Sequence, residues 1–141
     1  MRHFITASHG PLSKAILESA VLIAGADLFE NWRSIGEKME DSSDAIRAAV
    51  DVILSGYAPE DEVIALTDVM SGNVNNILTE YAVSAGVRVV AGMNLAMVLE
   101  AGFSDEQEPI DDLCRYLTQI GKSGVRFVND AIQAQSQEDE I

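Results

Sequence analysis

Two side chains in this sequence could act together on a phosphoryl group. His9 lies in the turn Ser8-His9-Gly10-Pro11, and Asp68 follows the run Glu62–Thr67. A carboxylate that accepts the proton of one imidazole nitrogen fixes the tautomer and leaves the other nitrogen with a free lone pair. An imidazole held in this way can attack phosphorus and carry the group as a labile N–P bond. Backbone N–H groups at Gly10 and the helix start after it, and around Ser71, Gly72 and Asn73, would face the added negative charge. Taken singly, each residue has a plainer use. A histidine at a strand end is more often a satisfied polar group, Asp68 could close a turn, and Ser71 and Asn73 could cap a helix. His3, in the first apolar run, reads as structural; Met93 and Met97 read as core, and Cys114, on an apolar helical face, as buried and inert.

What joins His9 to Asp68 is the arrangement of elements. Short apolar runs alternate with helical periodicities, the pattern of βαβ units around a parallel sheet. Phe4–Ala7 predicts the first strand; Pro11 suits a first helical turn, and Leu12, Ala15, Ile16, Ala20 and Ile23 then form an apolar stripe that Gly25 ends. Trp32–Ile35 predicts a second strand, diluted by Arg33, Ser34 and Gly36. Asp41-Ser42-Ser43-Asp44 opens a helix with Ala45, Ala49, Val52 and Ile53 inward. Glu62–Thr67 is the third strand, followed by the Ser71-Gly72-Asn73 turn and a helix burying Val74, Ile77, Leu78, Tyr81 and Ala82. Val87–Ala91 is the fourth, leading through Gly92-Met93-Asn94 into a short helix ending at Gly102. After the acidic loop Ser104–Glu108, Ile110, Leu113, Cys114, Leu117 and Ile120 mark a last long helix.

The fold class expected is therefore α/β: one open, mainly parallel, four-stranded sheet with helices on both faces. If strand one is central, with strand two on one side and strand three on the other, the order is 2-1-3-4. Reactive groups in such sheets gather at the carboxyl ends of the strands beside the point where the order reverses. That point lies between the turns carrying His9 and Asp68. Residues 1–132 read as one domain and 133–141 as a frayed acidic end.

Composition narrows the function. Of 141 residues, 48% are hydrophobic and 23% charged, as in a folded globular chain, and 9 basic side chains stand against 23 acidic ones for a net charge of −14. That field opposes binding to nucleic acid or an anionic membrane surface, and it favours encounter with a partner bearing a basic face. No apolar run is long enough to span a bilayer and no leader pattern precedes the first strand, so direct membrane insertion is not expected and the cytoplasm is the expected location. One cysteine and two distant histidines suggest neither a disulfide nor a metal site. Glycine-rich nucleotide loops and the Gly-x-Ser-x-Gly elbow are missing, so no cofactor is expected.

With these residues in view, the chain resembles the IIA component of the mannose-type (mannose/fructose/sorbose) bacterial phosphotransferase system. The resemblance is carried by Ser8-His9-Gly10 at a strand end, Asp68 after the third strand with Gly72 and Asn75 beyond, Ala91-Gly92-Met93-Asn94-Leu95-Ala96-Met97, and Gly121-Lys122-Ser123-Gly124-Val125. It implies a phosphotransferase in which His9 takes a phosphoryl group from the histidine-containing phosphocarrier protein and passes it to a IIB component for sugar uptake. It further implies that Asp68 hydrogen-bonds and so orients His9. A homodimer exchanging a short C-terminal strand is also implied, and Phe127–Asn129 is the segment here that could form it. The family's Gly-Gly-Ser-Pro turn is replaced by Ser71-Gly72-Asn73-Val74, which sets the Asn73 amide where a serine hydroxyl is expected. Two other readings use the same His9: a phosphocarrier subunit serving a dihydroxyacetone kinase, and a non-catalytic module whose phosphorylation is only a signal.

Overall fold

The computed structural model describes residues 1–139. The elements are β1 (Arg2–His9), α1 (Leu12–Ala24), a 3₁₀ turn (Ala26–Phe29), β2 (Arg33–Glu37), α2 (Ser43–Ser55), β3 (Glu62–Thr67), α3 (Asn73–Ala85), β4 (Arg88–Ala91), α4 (Leu95–Phe103), α5 (Ile110–Ser123) and α6 (Val128–Asp139). The four strands form one sheet in the order β2-β1-β3-β4, with every neighbouring pair parallel. The α/β fold and strand order expected from the sequence are what the chain adopts.

Alternation along the strands divides the core into two layers. Phe4 of β1, Ile64 and Leu66 of β3 and Val90 of β4 pack against α1, α4 and α5, together with Ala20, Met97, Val98, Leu113 and Leu117. Ile5, Ala7, Ile35, Val63 and Ala65 face the other way, onto Ile46 and Val50 of α2 and Val74, Ile77 and Leu78 of α3. Continuing the alternation from Ile5 and Ala7 carries His9 to the α2/α3 side of the sheet.

Two helical phases differ from expectation. In α1 the inward residues are Ser13, Ile16, Leu17 and Ala20, while Leu12 and Ile23 are exposed. Ser13 could not be recognised from apolar periodicity because it is a buried polar residue. In α2 the inward residues are Ile46 and Val50, while Ala45 and Val52 are exposed. Alanines fit either side of a helix, and the larger β-branched residues decided the phase by packing on the sheet.

The second strand is also displaced, running from Arg33 to Glu37 and leaving Trp32 to stack on Phe4 with ring centroids 4.5 Å apart. Gly36 weakened the strand pattern in the sequence, yet it is what lets the strand continue. A side chain there would collide with the Gly10 carbonyl, so only glycine allows β1 and β2 to stay this close at their ends. Phe127–Asn129 does not form a strand: Val128 and Asn129 begin α6, none of whose residues is buried. A strand needs an edge to pair with, and without one this segment satisfies its backbone hydrogen bonds locally as a helix. The same helix takes in Gln133–Asp139, where a frayed end was expected.

Candidate functional site

The turn carrying His9 is held by buried polar side chains. Ser8 Oγ accepts the Ser13 N–H at 2.8 Å, satisfying one of the orphan donors at the start of α1. Ser13 Oγ donates to the Ile35 carbonyl at 2.8 Å and so ties α1 to β2, while Thr6 Oγ1 donates to the Ser13 carbonyl at 2.9 Å. Gly10 adopts φ +59°, the left-handed turn that releases the chain from β1 into α1.

The Asp68 segment is fixed from the other side. Thr67, fully buried, donates to Asn75 Oδ1 at 2.6 Å, pinning α3 to the end of β3. The Asp68 N–H donates to the Ala7 carbonyl at 3.2 Å and the Met93 N–H to the Thr67 carbonyl at 2.8 Å, so the loop leaves the sheet between two neighbouring strands. Ser71, at φ +69°, then turns the backbone into α3.

These supports bring His9 and Asp68 together. Asp68 Oδ2 lies 2.8 Å from both the His9 backbone N and its ring Nδ1, and Asp68 Oδ1 accepts the Val69 N–H at 2.9 Å. One carboxylate therefore grips the histidine by backbone and ring at once, which fixes the ring's direction. The Asp68 side chain is 7% exposed and the His9 side chain 50% exposed, so the anchor is buried and Nε2 faces outward. The hydrogen bond to Asp68 raises the His9 pKa above 6.5 despite some desolvation, with the charges of Asp68 and Glu37 adding to the effect. Burial works against ionisation of Asp68, but the His9 N–H and ring and the Val69 N–H outweigh it and keep its carboxyl below the ordinary value.

Of the remaining expected residues, Gly72 lies against the ring. Gly72 is so close that a side-chain carbon there would come within 2.9 Å of His9 Cε1. Gly72 also precedes α3 with no side-chain cap, and among the described residues the first-turn N–H groups of Asn73, Val74 and Asn75 have no acceptor. The positive end of α3 is thus directed at the imidazole. Ser71 is exposed next to it. The Gly10 N–H, expected to face an incoming anion, is instead donated to the Glu37 carbonyl at 2.7 Å. The Asn73 amide is engaged too, donating to Glu37 Oε1 at 2.6 Å and accepting from Ser43 Oγ at 3.3 Å.

Glu37 is the residue that sequence reasoning missed. It pairs in register with His9, and its Oε2 lies 3.6 Å from His9 Nε2. Strand alternation puts it on the same face as Ile35, two positions back, but does not say which residue of the neighbouring strand it stands beside. His3 is elsewhere and structural, 2.8 Å from Asp61 Oδ2 and stacked on Tyr57. Burial, helped by the Asp111 charge, pushes the Cys114 thiol up to about 11, so it stays protonated. Among the described residues no helix is long and apolar enough to cross a membrane, and no group of three or more His, Cys, Asp and Glu is arranged to hold a metal ion.

The chain as a whole is similar to known proteins. The family described as PTS system fructose IIA component matches residues 3–117. A sorbose-specific EIIA component of a PTS system from Klebsiella pneumoniae is 27% identical over 121 residues, spanning 85% of this chain and 87% of the relative. The mannose/sorbose-specific IIA subunit of the phosphotransferase system from Enterococcus faecalis superposes with a TM-score of 0.82 at 32% identity, covering 89% of this chain and 92% of that one. The phosphotransferase system component EIIA from Streptococcus agalactiae also gives 0.82, at 28% identity, covering 92% and 99%.

Proposed function

This chain belongs to the fructose IIA component family of the sugar phosphotransferase system, a mannose/sorbose-type IIA component serving phosphoryl transfer in sugar uptake, and from that premise we propose that His9 is its phosphoryl carrier. The observation that carries this reading is the 2.8 Å contact between His9 Nδ1 and Asp68 Oδ2, with the ring half exposed. Held as Nδ1–H, the neutral imidazole presents the Nε2 lone pair to solvent. A phosphoryl group on the histidine-containing phosphocarrier protein is attacked there: the Nε2–P bond forms as the donor's N–P bond breaks, and the donor ring keeps the bonding electron pair. Asp68 holds the Nδ1 proton throughout and stabilises the positive charge that the ring acquires. The open first-turn amides of α3, beginning at Asn73 after the Ser71-Gly72 turn, face the new negative charge.

The group then passes to a IIB component by the same step in reverse, with no cofactor. The working location is the cytoplasm, where the donor is found. The chain acts as a homodimer, a reading supported by the exposed apolar side chains of Phe127, Val128 and Ile132 near its C-terminus.

Incubation with a phosphoenolpyruvate-driven donor system should give an acid-labile, base-stable adduct that maps to His9. Labelling of a His9→Gln variant at the wild-type level would refute the assignment. Chase of the label onto an added IIB protein within seconds separates a carrier from a module that is merely marked by phosphorylation.

A further inference from the structure

Glu37 is a largely buried acid set beside the imidazole. Its side chain is 14% exposed, and among the described residues no Lys or Arg pairs with it. The parallel register His9↔Glu37 and the two-residue alternation set both side chains on the α2/α3 face at the ends of adjacent strands. Its Oε1 accepts from Asn73 Nδ2 at 2.6 Å, and its Oε2 lies 3.6 Å from His9 Nε2, within ion-pair range but beyond a hydrogen bond. The carboxylate therefore occupies space beside the nitrogen that, on the reading above, bonds phosphorus, and it holds the Asn73 side-chain amide, which could otherwise serve the phosphoryl oxygens.

We propose that Glu37 is a resident anion in the phosphoryl seat, which the incoming group must displace, so that phosphohistidine in this protein is held at higher energy and handed on more readily. The inference rests on the phosphocarrier reading of His9. In the resting state the two carboxylates, Asp68 at Nδ1 and Glu37 at Nε2, together favour the imidazolium. The proton on Nε2 leaves to solvent before Nε2 attacks, and Glu37 takes no proton in the step. Once the Nε2–P bond has formed, a dianionic group lies against the Glu37 carboxylate, and repulsion moves Glu37 off Asn73. Asn73 Nδ2 is then free to donate to the phosphoryl oxygens.

Among the described residues no Lys or Arg side chain pairs with Glu37 or His9 to offset this repulsion. α3 presents only neutral Asn73 and backbone amides. Lys14 and Lys38 line a hollow with Gly10, Pro11, Ser13 and Gly36, on the α1 side of the β1–β2 edge.

The test is Glu37→Gln, which keeps a hydrogen-bonding group for Asn73 and removes the charge, with Glu37→Ala as its companion. In the unphosphorylated protein, the NMR titration midpoint of His9 should fall by about one pH unit in both variants, the order expected for a unit charge 3.6 Å away in a water-like dielectric. At equilibrium with the donor, the ratio of phosphorylated to free His9 should rise about tenfold, and transfer to the acceptor should slow. A midpoint and a ratio within about twofold of wild type in both variants would overturn the role of Glu37. A change in Glu37→Ala alone would also overturn it, because hydrogen bonding and not charge would then be the cause. If wild-type His9 takes no label, the phosphocarrier reading fails and this inference falls with it, whatever the titration shows.

Discussion

Gly72→Ala isolates the position of the imidazole from everything else in the fold. Gly72 sits at φ −70°, ψ 159°, a conformation that any L-residue adopts, so the substitution introduces no backbone strain. The new methyl would stand 2.9 Å from His9 Cε1, 3.3 Å from the Val69 carbonyl oxygen and 3.7 Å from His9 Nε2. Carbon pairs rest at about 3.5–4.0 Å, so the ring edge must withdraw by roughly 0.6–1.1 Å. The ring is half exposed and held by one side-chain hydrogen bond, whereas the backbone around it is hydrogen-bonded; the histidine is what moves. Its 2.8 Å bond to Asp68 is then stretched or lost. A displacement of about 1 Å in a reacting group typically slows a reaction by the order of a hundredfold.

Stability should hardly change in the same variant. Alanine is a poorer helix N-cap than glycine by about 0.5–1 kcal/mol, but it stiffens the unfolded chain by about 0.4–1 kcal/mol in the opposite direction. Rapid-quench measurement of transfer from saturating phosphorylated donor should therefore show a loss of about 10- to 100-fold, with Tm moving by no more than a few degrees. The His9 titration midpoint should also fall toward 6.5, because the Asp68 hydrogen bond is the largest cause of its elevation. A variant that transfers at the wild-type rate with an unchanged midpoint would show that the ring does not work in the position seen here.

Asp68→Asn should leave the secondary structure intact and slow phosphorylation of His9 by about 10- to 100-fold, since an amide can offer its nitrogen where Nδ1–H requires an acceptor; an unimpaired rate would remove Asp68 from the mechanism. The raised His9 pKa means that the reactive neutral ring accumulates only above 6.5, so the phosphorylation rate should climb with pH through a midpoint higher than that value and then level off, whereas a profile flat between about pH 6 and 8 would contradict the pairing. By the same linkage, the imidazolium–carboxylate contact adds stability that is fully present below 6.5 and fades as pH rises through the elevated folded-state pKa, an effect kept small by exposure of the ring. Thr67→Val should cost about 1–3 kcal/mol in urea unfolding, because it leaves the buried Asn75 amide without its 2.6 Å partner; an unchanged midpoint would mean that this bond does not hold α3 to the sheet.

Periodicity in the sequence was enough to place every strand to within three residues at either end. It recovered β3 residue for residue, because the apolar run Val63–Leu66 is flanked by Glu62 and Thr67 and bounded by polar turns. It did less well where side chains carry little local preference. Ala45 was assigned inward and is exposed, while buried Ser13 went unrecognised because its side chain's value to the fold is a hydrogen bond to the Ile35 carbonyl on another element. The C-terminal strand was suggested by resemblance rather than composition, and in a single chain that segment is helical.

The two ends of the site were legible for different reasons. His9 and Asp68 could be named from sequence because each follows a strand directly, and a parallel sheet whose order reverses between those strands must set their turns side by side. Glu37 could not, because its place beside Nε2 depends on the register of β1 against β2 and on the close approach that Gly36 permits. Local residue chemistry thus located the elements and picked out the histidine and aspartate, while the strand order that joins them held only if β1 was central, as it is. Only the tertiary structure decided which third group shares the crevice, since register between strands is settled by packing across the whole sheet and leaves no trace in the few residues around any one of them.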